Sequence, residues 1–310
     1  MFDPDVERLL AAIALKQGTP LEQMAVEEAR ETYRQSCKAF SLLPVELPSV
    51  ETRTLPDGDA IRIYRPVAGD DPLPWLFYLH GGGWVVGDLD THDAICRILA
   101  RDSGFCVIAL DYPLAPEHPF PAALDSAFAA IAWIRANAGP LAIDRGRMAI
   151  GGDSAGAALA TTCCLMLRDA GLKLPDLQLL FYPATDLTAS SDSYARITGT
   201  VPLTAARMQW FLGHYLSDPE HALDWRASPA RAASLVGLPP AFVVTAGHDP
   251  LRDEGIAYAH RMEQEGVRVM HLHLGDQVHG FLTLGRALRR ARSVLEQAGR
   301  ELKAASGPRN

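Results

Sequence analysis

From Pro74 onward the chain alternates short apolar runs with longer stretches of helical periodicity, and this alternation constrains the fold more than any other feature. The strand-like runs are Trp75 to Leu79, Cys106 to Leu110, Met148 to Ile150, Leu177 to Tyr182, Phe242 to Thr245 and Val267 to Leu274. Helical stretches fall at roughly 91–103, 122–137, 155–170, 204–216, 253–265 and 286–305. Strands apolar on both faces must be covered on both faces. The pattern therefore predicts an α/β fold with a mostly parallel central sheet flanked by helices. In such sheets the chemistry sits beyond the carboxyl ends of the strands. The 310 residues could hold two domains, but one α/β body of about 200 to 250 residues with an appendage fits the length equally well.

The appendage has two candidate pieces. Val6, Leu9, Leu10 and Ile13 recur at helical spacing and predict a helix over 5–17. A second helix is predicted to start at Thr19, with Thr19 as the cap, Pro20 in the first turn and Glu22 completing a capping box. Residues 46–55 and 61–65 alternate around Pro56-Asp57-Gly58, which reads as a hairpin. The stretch 186–228 interrupts the later alternation and carries one aromatic-rich helical segment: Met208, Trp210, Phe211, Tyr215 and Leu216. Either this insertion simply packs on the body, or residues 1–45 and 186–228 together cover the site as a discontinuous cap and line an acyl pocket. Both readings can hold. Residues 46–185 and 229–310 then form the body, ending in a polar tail from about Ser306.

Composition removes several functional classes. With 48% apolar and 21% charged residues the chain is neither fibrous nor disordered. Net charge is 29 − 37 = −8, and the one basic cluster, Arg286, Arg289, Arg290 and Arg292, reads as a solvated helix face. No nucleic-acid partner is expected, since that would call for a basic domain. The opening Met1-Phe2-Asp3-Pro4-Asp5 places acids where a secretory signal would carry Lys or Arg, so no signal peptide is expected. The weakly polar run Ala155 to Leu167 falls short of the roughly 18 apolar residues of a membrane span. Five cysteines are an odd number, and Cys163-Cys164 are neighbours within a helical stretch, poorly placed for bridging. Free thiols in a reducing cytoplasm are expected.

Gly152-Asp153-Ser154-Ala155-Gly156 is a G-x-S-x-G sequence between the run Met148-Ala149-Ile150 and a helix rich in Ala and Leu. A serine on a sharp strand-to-helix turn needs a strained backbone, and small residues two positions to either side let strand and helix approach. The turn also aims the Ala155 amide at a substrate oxygen and sets Ser154 at a helix N-terminus. His80-Gly81-Gly82-Gly83-Trp84 follows the strand Trp75 to Leu79, and its glycines leave backbone N–H groups unobstructed, as a tetrahedral oxyanion requires. A phosphate loop would want Gly-Lys-Ser/Thr, which is absent. His80 reads as a loop-shaping residue rather than a base.

A serine hydroxyl needs a base, and the base needs an orienting acid. On this fold the chain order is Ser, acid, His. Asp249 follows the strand Phe242 to Thr245, and His279 follows Val267 to Leu274. Rivals exist. Asp276 shares a loop with His279; His248 adjoins Asp249, but neighbours on an extended segment point apart. Asp253 and Glu254 read as helix-starting acids. His271 and His273 share a strand face, without a ligand set that completes a metal site. Cys163 and Cys164 read as buried structural thiols.

Together these motifs resemble the hormone-sensitive-lipase-like family of α/β-hydrolase carboxylesterases, in its Gly-Asp-Ser-Ala-Gly branch. The resemblance runs from about residue 74 to 285 through HGGGW (80–84), DYPLAPEHPFPAAL (111–124), GDSAG (152–156), DPLRDEG (249–255) and HGF (279–281). It implies Ser154, Asp249 and His279 as a triad, Gly82, Gly83 and Ala155 as oxyanion amides, and a cap of the kind described above. Pro113 departs from the family, which often has Arg there, and touches no catalytic role. The expected activity is cytoplasmic hydrolysis of short- to medium-chain carboxylic esters as small-molecule substrates, with no cofactor and no metal. The alternatives are an amidase or formamidase with the same triad, or a non-catalytic receptor on this fold, against which His279 argues. A homodimer is compatible with the resemblance.

Overall fold

The computed structural model describes residues 1–15, 18–199, 201–305 and 307. Two helices, α1 (Pro4–Leu15) and α2 (Val26–Phe40), lead into the hairpin β1 (Ser49–Thr54) and β2 (Ala60–Arg65). Strands and helices then alternate as expected: β3 (Leu73–Leu79), α3 (Asp93–Ser103), β4 (Cys106–Asp111), α4 (Ala122–Ala136), β5 (Ile143–Asp153), α5 (Ala155–Asp169) and β6 (Leu177–Phe181). The insertion contributes α6 (Asp192–Arg196) and α7 (Ala205–Tyr215). The chain closes with β7 (Ala241–His248), α8 (Arg252–Gln264), β8 (Val269–Val278) and α9 (Arg290–Ala305). Among the described residues the strands form one eight-stranded sheet in the order β1-β2-β4-β3-β5-β6-β7-β8. All neighbours from β4 to β8 run parallel, while β2 is antiparallel to both β1 and β4.

Strand alternation divides the core between the two faces. Trp75, Phe77, Ile108 and Ile150 point into the layer that holds α4, α5 and α8, whereas Leu76, Tyr78, Val107 and Ala149 point into the layer of α3 and α9. Fully burying a side chain such as Phe77 contributes about 2 to 3 kcal/mol, so the two layers fix the sheet firmly enough to serve as a platform.

Three strands run further than their apolar runs suggest, and all three overrun toward the site. Strand β5 ends on Asp153, β7 on His248 and β8 on Val278, so polar residues at the carboxyl ends escape a reading based on hydrophobicity. The expected capping box at Thr19 does not form. Residues Leu21–Gln23 make a single 3₁₀ turn without a side-chain cap, and α2 starts at Val26 behind Ala25. Glu22 instead pairs with Arg207 on α7 at 2.9 Å, a tertiary ion pair that replaces local capping. The helix expected over 5–17 is present to Leu15; Lys16 and Gln17 lie outside the described residues, as does the tail from Ser306 apart from Gly307. Helix α9 begins at Arg290 rather than 286. The Cys37, Cys96, Cys106, Cys163 and Cys164 thiols are free and buried. Among the described residues no helix is long and apolar enough to cross a membrane.

Candidate active site

Ser154 stands on the turn between β5 and α5 with φ 55° and ψ −118°, a strained conformation for a side chain with a Cβ. The sequence enforces it by close packing. A Cβ on Gly152 would lie 2.3 Å from the Leu79 carbonyl oxygen, and one on Gly156 would lie 1.9 Å from the same atom. The two glycines thus let the turn press against the end of β3, where Leu79 pairs with Gly152 in register. This brings the loop after β3 beside the serine.

Sheet register also brings together the other two residues. His248 pairs with Val278 across β7 and β8, so the residues that follow, Asp249 and His279, emerge side by side. Asp249 Oδ2 lies 2.7 Å from His279 Nδ1, and His279 Nε2 lies 2.9 Å from Ser154 Oγ. Asp249 is fully buried, and its Oδ1 accepts the Leu251 N–H at 2.9 Å, which leaves Oδ2 to the imidazole. The Tyr182 ring meets His279 edge-on at 4.8 Å and fixes the plane of the imidazole.

The glycine loop contributes Gly82 (φ 129°) and Gly83 (φ 59°), and Val85 and Val86 both donate to the Gly82 carbonyl to close the turn. Among the described residues the N–H groups of Gly82, Gly83 and Ala155 donate no hydrogen bond. His80 behaves as a shaping residue: its Nδ1 meets the Gly81 carbonyl at 2.8 Å and its ring stacks on Tyr112 at 4.2 Å. Burial, reinforced by His92, holds its imidazole down at about 4.

A cavity of about 690 Å³ opens over these groups. Gly82, Gly83, Ser154 and His279 line its floor, and Tyr33, Cys37, Leu203, Met208 and Phe211 line its roof. The roof therefore draws on both α2 and the insertion. Phe211 presses on the loop so closely that a Cβ on Gly83 would lie 2.3 Å from its ring. Helix α2 is held down by Arg30, which donates to the carbonyls of Val85 at 2.9 Å and Ala115 at 3.0 Å and grips Glu117 with two nitrogens. Burial pushes the Cys37 thiol up to about 12, which keeps it un-ionised.

A sequence model of the alpha/beta hydrolase fold family matches residues 76–283. The chain belongs to the alpha/beta hydrolase fold family. Among its relatives is the carboxylic ester hydrolase LipN of Mycobacterium tuberculosis, 45% identical over 229 residues; the match covers 72% of this chain and 61% of LipN, less than two thirds of that protein. An ethyl acetate hydrolase from Pseudomonas putida is 36% identical over 312 residues, covering 96% of this chain and 95% of the relative. A solved ester-hydrolase from the metagenome of Lake Arreo, in complex with a bipyridine phosphonate derivative, superposes with a TM-score of 0.94 at 38% identity, covering 99% of this chain and 100% of that one. The likeness to hormone-sensitive-lipase-like α/β hydrolases read from the motifs is thereby borne out.

Within this hydrolase the rival residues are engaged elsewhere. Asp276 lies on β8, where its carboxylate is 3.9 Å from Arg290 and its carbonyl accepts the Asp3 N–H. The His248 ring faces Phe2 at 3.8 Å. Asp253 pairs with Arg252 at 2.7 Å. His271 and His273 both bond Thr245 Oγ1, at 2.8 and 2.9 Å, and no group of three ligating side chains suited to a metal occurs among the described residues. Two groups escaped the sequence reading. Glu254, anticipated as a helix-starting acid, is buried and accepts the N–H groups of Thr185 and Asp186 at 2.7 and 3.1 Å. His92, a polar residue ahead of an amphipathic helix, is buried against Asp153 at 3.2 Å. Nothing local in the sequence marks either one, because their partners lie more than sixty residues away.

Proposed function

We propose that this hydrolase cleaves carboxylic esters through an acyl-enzyme on Ser154, with His279 as the base, Asp249 as its orienting acid, and Gly82, Gly83 and Ala155 as the oxyanion amides. The observation that carries the reading is the unbroken chain from Asp249 through His279 to Ser154, 2.7 and 2.9 Å long at its two links, on the floor of a largely apolar cavity. His279 Nε2 takes the Ser154 proton as Oγ attacks the ester carbonyl, and Nδ1–H stays on Asp249, which supports the imidazolium. The three amides receive the oxyanion. Collapse of the tetrahedral intermediate breaks the ester C–O bond, and the proton on Nε2 passes to the departing alcohol. His279 then takes a proton from water, which attacks the acyl group; return of that proton to Ser154 frees the acid.

Short- to medium-chain acyl esters suit the cavity, and the names of the relatives point the same way. Residues 1–45 and 186–228 are read as one discontinuous cap over a body of 46–185 and 229–310, in the Gly-Asp-Ser-Ala-Gly branch of the family. Five buried free thiols favour a reducing, cytoplasmic setting. A homodimer is a further part of this reading, to be decided by sizing chromatography. The central test is a p-nitrophenyl ester series from acetate to palmitate, with Ser154→Ala as control and a fluorophosphonate probe on the wild type. Activity that peaks at short or medium chains, covalent labelling of Ser154, and loss of turnover by several orders of magnitude in Ser154→Ala are expected. Full turnover in Ser154→Ala would end the mechanism; an unlabelled, folded protein would favour a binding role.

A further inference from the structure

Asp153 precedes Ser154, is 2% exposed and lines the cavity floor, yet the mechanism gives it no role. A carboxylate in this place is unfavourable in itself, because negative charge develops nearby when the ester carbonyl becomes an oxyanion. What it holds explains its presence. Oδ1 accepts the Gly81 N–H at 3.0 Å and the Tyr78 hydroxyl at 2.9 Å. The residue before the serine is thereby tied to the residue before the glycine amides, and the two halves of the floor are joined.

His92 supplies a further donor. Its Nε2 lies 3.2 and 3.4 Å from the two Asp153 oxygens, and its Nδ1 lies 2.9 Å from Thr91 Oγ1. Thr91 Oγ1 also lies 2.8 Å from the Asp88 carbonyl and accepts the Asp88 N–H at 2.9 Å, which fixes its place beside the ring. Nε2 faces a carboxylate and donates to it, while Nδ1 is held by the Thr91 hydroxyl. The Gly81 N–H passes 3.4 Å from Nε2, but its closer partner is Oδ1. Burial pushes the Asp153 carboxyl up, and the neighbouring His92 imidazole with the Tyr78 hydroxyl outweighs it, so the group stays below its ordinary range.

We propose that His92 is a positioning residue for the ester hydrolysis set out above: as the buried donor paired with Asp153, it lets that carboxylate anchor Gly81 while staying fully partnered behind the oxyanion amides. The proposal rests on Ser154 being the nucleophile. Its test compares kcat and KM on p-nitrophenyl butyrate for wild type, His92→Asn, the double variant His92→Asn with Asp153→Asn, and Ser154→Ala. His92→Asn lowers kcat about 10- to 100-fold, the scale of a misplaced catalytic group, and leaves KM within about threefold. Removing the stranded carboxylate in the double variant restores most of that loss. Should His92→Asn fail to fold, His92→Phe replaces it, since its ring keeps the volume of the imidazole without a donor toward Asp153. A kcat at the wild-type level, a loss confined to KM, or a double variant as slow as the single one overturns the proposal while Ser154→Ala remains inactive. An active Ser154→Ala overturns the underlying mechanism and the role of His92 with it.

Discussion

The floor and the roof of the cavity are built by opposite means. The floor is a set of buried polar groups bound to one another and mounted on the carboxyl ends of parallel strands: Ser154, His279, Asp249, Asp153 and His92 are each at most 8% exposed. The roof is mostly apolar where it faces the cavity; ion pairs hold it to the loops beneath, Arg30 with Glu117 and Arg34 with Asp88, and its two parts to each other, Arg207 with Glu22. A floor of this kind fixes geometry to fractions of an ångström, because each group is bound to partners that are themselves held in place. The roof fixes shape, and shape can change without dismantling the chemistry. Substitutions in the floor should therefore act on kcat, and those in the roof on stability and substrate preference.

The largest expected effect is in the floor. Asp249→Asn keeps the volume of the side chain but removes the acceptor that selects the His279 tautomer, and kcat should fall by about 10⁴-fold with KM little changed. Steady-state kinetics on a short ester would show it, and a loss of less than tenfold would mean that Asp249 does not orient the imidazole. Next comes the margin of the roof. Arg30→Ala strands two carbonyls and Glu117 beneath a side chain only 13% exposed, and should cost about 2 to 3 kcal/mol of stability, read as a drop in the denaturation midpoint. Lysine is a poor substitute there, having no planar fork for a two-point grip on Glu117.

Within the roof itself, Phe211→Ala opens space above Gly83 and should raise the preference for hexanoate over acetate by about tenfold, measured as a ratio of kcat/KM values. An unchanged ratio would remove Phe211 from the set of residues that shape the acyl site. A fall in kcat alone, equal for both esters, would show instead that roof and floor are not separable at this contact.

The same contrast explains what the sequence could reveal. The sheet and the elbow were legible because both rest on local rules: apolar runs for β3, β4 and β6, and glycines flanking Ser154. Asp249 and His279 were legible because each follows a strand, and register does the rest. The polar ends of β5, β7 and β8 were not, since hydrophobicity fades where strands reach the site. The start of α2 departs from the local capping rule because Glu22 pairs with Arg207 on α7 rather than with its own helix. His92 was invisible, and so were the partners that Glu254 holds beyond its place in the first turn of α8, for the same reason: a buried polar residue is defined by its partner, and the partner is remote in the chain.

Glu254 sits where floor and roof join, and its effect should be the smallest. Its Oε1 holds the N–H groups of Thr185 and Asp186, at the point where the chain leaves β6 for the insertion, while Oε2 is buried with no partner among the described residues. Burial pushes the carboxyl well above the usual range, against the lowering pull of those two N–H groups. Above the unfolded value of about 4.3 the folded chain thus holds a proton that the unfolded chain has lost. With more protons bound to the folded state, stability falls as pH rises, until the folded group itself ionises. Glu254→Gln stays neutral at every pH and keeps an oxygen for the two N–H groups, so this slope should vanish. The variant should lie closest to the wild type at pH near 5 and exceed its thermal midpoint at pH near 8 by at least about 2 °C, since each unit of raised pKa corresponds to about 1.4 kcal/mol. A variant weaker than the wild type at the higher pH would mean that the joint depends on a charged carboxylate, and that roof and floor are coupled through electrostatics rather than through the geometry of one neutral hydrogen-bonded anchor.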